Sequence, residues 1–192
     1  MAIFIVYIQT MNNYSDEKLL DMFREESSRN YAYNLIVRKY QERIYWHIRR
    51  IVITHEDADD VTQNTLIKAW KGLNNFKAKS QLYTWLYRIA TNESISFLNK
   101  KKKRFFISIN DIEHELALSL ESDEQYSGDE IQLTLQKAIL TLPEKQRLVF
   151  NMRYYDELKY DEISEILETS VGALKASYHH AVKKIETYIQ ED

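Results

Sequence analysis

The sequence predicts an all-α protein made of two small helical domains joined by an acidic linker. Three observations carry this. Only 3 Gly and 1 Pro occur in 192 residues, too few for the turns of a barrel or sandwich of many short strands. Apolar residues recur at helical spacing in successive stretches on both sides of residue 105. Charge is also segregated. Thr65 to Arg104 holds ten Lys/Arg against one acid, Glu93, whereas Phe105 to Thr134 holds eight acids and no Lys or Arg. Blocks of +9 and then −8 within a chain of net charge −3 mean more than their sum. The expected division is a helical domain over 14–104, a linker over 105–130 and a second helical domain over 131–192.

The elements follow in order. "MAIFIVYIQT" is apolar but lacks the basic front and cleavage site of a signal peptide, and it is too short to span a bilayer. Residues 1–13 read as an extension outside the native protein, because Met11 followed by "NNYSDEKLL" makes a sensible start. Ser15 caps a first helix, with Asp16 and Glu17 in its first turn. A second helix runs from about Ser28 to Ile53 with Tyr33, Val37, Tyr40, Ile44, Ile48 and Ile51 on its apolar face. "THEDADD" opens a third, whose buried stripe is Ala58, Val61, Thr65, Ala69 and Leu73. After the loop "NNFKAKS", Ser80 caps a fourth helix that continues to Lys103 with Leu82, Leu86 and Ile89 inward.

"NDIEHELALSLESDEQYSGDE" has no sustained stripe and reads as linker with some local helix. Helical pattern returns near Ile131. Pro143 stands close to a helix start, where its missing N–H costs nothing. "YDEISEIL" puts Tyr160, Ile163, Ile166 and Leu167 on one face. The final helix turns Val171, Leu174, Tyr178, Ala181, Ile185 and Ile189 inward.

Composition excludes several functions. With no Cys there are no disulfides and no thiolate metal sites, and a reducing, cytoplasmic setting fits. His47, His55, His114, His179 and His180 are scattered. No Gly-rich phosphate loop, catalytic constellation or metal-ligand spacing appears, so neither an enzyme, a cofactor, a metal nor a small-molecule substrate is expected. No membrane insertion is expected either.

Two stretches carry binding chemistry. "YDEISEIL", the short turn "ETS" and the final helix have the geometry of a helix-turn-helix, whose second helix enters the major groove. Its outward positions are Gly172, Ala173, Ala176, Ser177 and His180, flanked by Lys175, Lys183 and Lys184. Small side chains let the backbone approach DNA and meet thymine methyls. A plain helical hairpin with a solvated face is the rival reading, since no Arg is placed for a guanine. Earlier in the chain, "FKAKSQLYTWLYRIATNESISFLNKKKKR" combines cations with Phe76, Tyr83, Trp85 and Tyr87, a mixture suited to phosphates and unstacked bases. Here the rival places Trp85 and some of the tyrosines in the core and leaves the Lys run solvated. Asp60, Gln63, Asn64, Ile67 and Lys71 share an outward face suited to a protein partner.

Together these motifs resemble the sigma-70 family of RNA polymerase sigma factors, in its short extracytoplasmic-function (ECF) group. "DADDVTQNTLIKAWKGLNNFKAKSQLYTWLYRIATNESISFLNKKKKR" looks like region 2, and "LPEKQRLVFNMRYYDELKYDEISEILETSVGALKASYHHAVKKIE" like region 4. The resemblance implies a subunit that binds core RNA polymerase, recognises −35 and −10 promoter elements and promotes promoter melting. It carries Asp60, Gln63, Asn64 and Lys68 over to the clamp helices of the largest polymerase subunit. Where the family usually has an acid after the Gln, this chain has Asn64.

Phe76, Lys77, Lys79, Tyr83, Trp85, Arg88 and Asn92 match −10 positions, with Phe76 and Asn92 at a flipped base. Lys100, Lys101, Lys102, Lys103 and Arg104 would hold duplex phosphates. Ser170, Gly172, Ala173, Lys175, Ala176, Ser177 and His180 would meet the −35 element. The family's commoner Thr, Ser and Arg are here Ala173, Ala176 and Ser177, and its Ala and Gly in the first helix and turn are Ser164 and Glu168. The resemblance also implies contact with the flap of the second large subunit. It further implies an anti-sigma partner, able to hold this cytoplasmic protein at the membrane. A free-standing helix-turn-helix regulator is the alternative.

Overall fold

The computed structural model describes residues 14–105 and 130–191, the side chains of Arg104 and Phe105 excepted. Among the described residues there are eight helices and no strand. They are α1 (Asp16–Arg24), α2 (Arg29–Val52), α3 (His55–Leu73), α4 (Leu82–Phe105), α5 (Glu130–Leu140), α6 (Glu144–Tyr154), α7 (Tyr160–Leu167) and α8 (Val171–Glu191). Expectations for residues 1–13 and for most of the linker fall outside the described residues.

Helices α1 to α4 enclose the first core, built on Phe23, Ile44, Ile48, Val61, Leu82 and Leu86. Their starts are fixed by side-chain caps. Ser15 Oγ accepts the Lys18 N–H at 3.3 Å and Thr54 Oγ1 accepts the Asp57 N–H at 3.3 Å. Phe23, Tyr33 and Trp70 pack edge to face at the far end of this bundle, Trp70 lying 5.2 Å from Phe23 and 4.9 Å from Tyr33. Burial pushes the Tyr33 phenol up to about 12. Helices α5, α6 and α8 surround Ile139, Phe150, Ala181 and Ile185, while α6, α7 and α8 share Met152, Ile163, Ile166 and Leu174.

Some details differ from the sequence reading. Helix α4 starts at Leu82, and its Trp85 N–H bonds the Gln81 carbonyl, so Gln81 rather than Ser80 occupies the cap position. Ile189 is 47% exposed instead of inward, because the last turn of α8 runs past its packing partners. Val37 is half-buried, while Tyr40, Ile44, Ile48 and Ile51 hold the buried stripe.

The two groups of helices also pack on one another, α4 against α7 and α2 against α6. Each lends a side chain to the other's core. Leu148 of α6 is buried in the first core, and Tyr87 of α4, 1% exposed, is buried with Val149, Met152 and Leu158 in the second.

Candidate nucleic-acid interface

Helices α3 and α4 diverge around an open cleft of ≈540 Å³ lined by Lys68, Lys71, Gly72, Trp85, Arg88, Ile89, Asn92 and Glu93. The approach of the helices depends on Gly72. A Cβ there would stand 3.0 Å from Cζ2 of Trp85. Phe76, in the loop after α3, lies 5.1 Å from the Trp85 ring and fixes it from the other side. The result is an aromatic wall beside two lysines, an arginine and an amide, a combination that can stack a base and neutralise its phosphate. Lys68 is paired with Glu93 at the rim. Lys77 and Lys79 are exposed on the loop that leads into α4.

Trp85, Arg88 and Asn92 therefore come together, while Tyr83 and Tyr87 do not join them. Those two tyrosines point to the face of α4 covered by α7, their rings 6.4 Å apart and edge to face. Tyr83 donates its hydroxyl to Glu162 of α7. The stacking role that the sequence gave Tyr87 is thereby corrected, since its ring is core. Burial and the nearby Asp156 push its phenol up to about 12, against the opposing pull of Arg43 and Arg50.

The basic run at the end of α4 is uneven. Lys100 and Lys103 are exposed, but Lys101 reaches back to Asp57 at 3.1 Å and Lys102 approaches Glu144 at 3.8 Å. Arg104 lies outside the described side chains. On α3, Asp60, Gln63 and Asn64 are exposed, as is Lys68, and Ile67 among them is 52% exposed.

In the C-terminal module, α7 and α8 meet through Glu168, Thr169 and Ser170. Glu168 adopts a left-handed conformation, φ 50°, and its N–H closes on the Ser164 carbonyl. This is the position where glycine is unstrained and a side chain is not. Ser170 then caps α8, its Oγ accepting the Ala173 N–H at 3.4 Å. Gly172, Ala173, Lys175, Ala176 and His180 are exposed along the first turns of α8, and Ser177 is half-buried.

A third constellation was not apparent in the sequence. His47 of α2, 1% exposed, bonds Asp156 through Nδ1 at 2.7 Å and Thr91 of α4 through Nε2 at 2.9 Å. Arg50 donates to the other Asp156 oxygen at 3.0 Å and lies 4.6 Å over the Tyr155 ring. Asn151 donates to the Arg50 carbonyl at 3.4 Å. The one local signal was that His47 shares the stripe of Ile44, Ile48 and Ile51, with spacing i, i+3, i+4 and i+7. Its partner stands 109 residues away.

The arrangement is thus a four-helix module bearing a cationic, aromatic cleft, followed by a helix-turn-helix module. The matches to known proteins agree with it. Residues 36–104 match the model of Sigma-70 region 2, and residues 132–185 that of Sigma-70, region 4. The chain is 33% identical to the RNA polymerase sigma-H factor of Pseudomonas aeruginosa, covering 91% of this chain and 94% of that one. It is 30% identical to the ECF RNA polymerase sigma factor SigW of Bacillus subtilis, covering 83% and 90%. Its fold is like that of the sigma factor RpoE in complex with the anti-sigma factor NepR from Bartonella quintana, with a TM-score of 0.64, 20% identity and coverage of 83% and 97%. The chain belongs to the sigma-70 family and is an RNA polymerase sigma factor of the ECF type.

No helix among the described residues is long and apolar enough to cross a membrane. Among the same residues, no three His, Asp or Glu side chains are grouped so as to hold a metal ion.

Proposed function

We propose that the α3–α4 cleft captures an unstacked −10 base while the start of α8 reads the −35 element. Trp85 and Phe76 supply the stacking surface, Asn92 an amide for a base edge, and Arg88, Lys77 and Lys79 the countercharge. Lys100, Lys103 and Arg104 hold duplex phosphates upstream. The exposed face of Asp60, Gln63, Asn64 and Lys68 docks on the clamp helices of core polymerase, and the helix-turn-helix module meets the flap. The co-location of Trp85, Arg88 and Asn92 with two lysines in one open cleft carries this reading. The energetics allow it: extruding a base costs a few kcal/mol, and one good stack returns about 1–3 kcal/mol.

The protein acts in the cytoplasm, supplies no catalysis of its own and is restrained by an anti-sigma protein. In vitro transcription with core polymerase on supercoiled genomic templates, mapped by sequencing 5′ ends, tests the assignment. Specific start sites dependent on this chain are expected, and their loss in Trp85→Ala and Asn92→Ala. Promoter-specific starts that survive both substitutions overturn the cleft as the −10 site.

A further inference from the structure

Glu93 is the one acid among ten cations between Thr65 and Arg104. The fold does not turn it away to an outer surface. It lines the α3–α4 cleft together with Lys68, Lys71, Trp85, Arg88 and Asn92. Arg88, Ile89, Asn92 and Glu93 stand at i, i+1, i+4 and i+5, so one face of α4 carries them all. An acid in a cleft that receives nucleic acid repels phosphates, and any strand would bind more tightly without it. Its place there has a reason other than affinity.

The ion pair with Lys68 is too weak a reason. The Lys68 ammonium donates to Glu93 Oε1, and the two side chains are 59% and 17% exposed. A pair so open to solvent contributes little stability. It does hold the carboxylate in place. One oxygen serves Lys68, and the second has no protein donor among the described residues. That oxygen accepts and never donates, so a base reaches it only through an N–H. The exocyclic amines of cytosine, adenine and guanine offer one, and none has an oxygen on a neighbouring ring atom. Thymine has no amine. Its ring N–H lies between two carbonyl oxygens, and a carboxylate that reaches the N–H also meets one of them. Asn92, one residue earlier, can supply an N–H to the ring nitrogen beside an amine.

We propose that Glu93 is a specificity-determining residue of the cleft: it selects an unstacked base that carries an exocyclic amine and rejects thymine. This rests on the reading of the cleft as the −10 base site. Trp85 and Phe76 stack any base, because every base has a π-face, and so they cannot choose among them. The choice falls to the polar wall, where Glu93 is the acceptor and Lys68 holds it. Specificity of this kind costs affinity, since the same charge that rejects thymine also repels the backbone.

The test uses fluorescein-labelled single strands that are abasic except for one base, so the cleft has one base to accept. The full chain is bound to core polymerase, and core polymerase alone gives the background. Cytosine against uracil exchanges the amine for a carbonyl, and adenine against purine deletes it. The wild-type complex binds the amine-bearing strand of each pair at least about fivefold more tightly. Glu93→Gln offers a donor and an acceptor alike, so each ratio falls toward one. The uracil strand itself binds more tightly to this variant, because a repelling charge is gone. Glu93→Ala removes the acceptor and collapses the same ratios. Glu93 lies outside the buried core, and circular dichroism checks that both variants remain helical.

Equal wild-type affinities within both pairs overturn the proposal without any variant. Substitutions of Glu93 that shift both strands of a pair by the same factor overturn it too, since Glu93 then merely neutralises Lys68. Trp85→Ala keeps the selector and the cleft apart. If it weakens every one-base strand while the wild type shows no amine preference, the cleft stands as the base site and the selector falls. If it weakens none, the cleft is not the base site, and the selector falls with it.

Discussion

The two surfaces offered to nucleic acid are built on opposite principles. The α3–α4 cleft concentrates large groups: an indole held by Gly72 and Phe76, a guanidinium, an amide and lysines. The start of α8 offers almost nothing but backbone, with Gly172, Ala173 and Ala176 outward and no acid between Val171 and Ile185. The first can supply binding energy through a few strong contacts. The second can supply closeness and shape. Held together on one polymerase, they add through effective concentration, so the weaker face needs only part of the affinity. The two faces also approach each other, Glu168 of the turn before α8 standing 3.4 Å from Arg88 of the cleft.

The contrast between buried and available aromatics gives the largest expected effect. Tyr87 keeps its proton in the folded protein up to about pH 12, whereas an unfolded tyrosine loses it near pH 10. The stabilisation from its neutral phenol is fully present below pH 10 and is lost as pH rises toward 12, up to about 3 kcal/mol. Urea titrations across that range should show the loss, and Tyr87→Phe should reduce it by the share of Tyr87, leaving that of the buried Tyr33 phenol. Trp85→Ala should weaken binding to single-stranded −10 DNA by about 5–150-fold, matching 1–3 kcal/mol of stacking. Ser177→Ala on α8 should change promoter affinity less than about twofold; equal losses at both sites would erase the distinction between the two faces.

Salt dependence sharpens the reading of the basic arm. Lys100→Ala with Lys103→Ala should lower the slope of log affinity against log salt by about 2 on duplex DNA. Lys101→Ala should lower it less, because Asp57 already neutralises that ammonium. Gly72→Ala acts more mildly than Trp85→Ala, because the new Cβ presses the Trp85 ring without removing it. A stability loss of about 1 kcal/mol and a few-fold weaker single-strand binding are expected, measured by melting and anisotropy.

Much of this was legible in the sequence. The stripe of Ala58, Val61, Thr65, Ala69 and Leu73 is buried as periodicity required, and the helix-turn-helix turn falls at Glu168–Ser170. Trp85, Arg88 and Asn92 share a cleft because i, i+3 and i+7 lie on one helix face. Which tyrosines of α4 enter the core was left open by the sequence for a different reason. Their neighbours Glu162 and Val149 lie in another module, and helical spacing carries no information about contacts across so many residues. His47 looked like one of several scattered histidines for the same reason. The cap of α4 was misjudged by one residue because a serine is a better cap than Gln81 by propensity alone, whereas the bundle decides where the helix begins.

The Asp156 cluster also has a consequence in time. The ribosome completes α4 about fifty residues before it adds Asp156. At roughly 5–20 residues per second, synthesis leaves an interval of several seconds in which α1 to α4 can fold with His47 still lacking its carboxylate. Each newborn chain can thus pack α1 to α4 before the contact between its two modules forms.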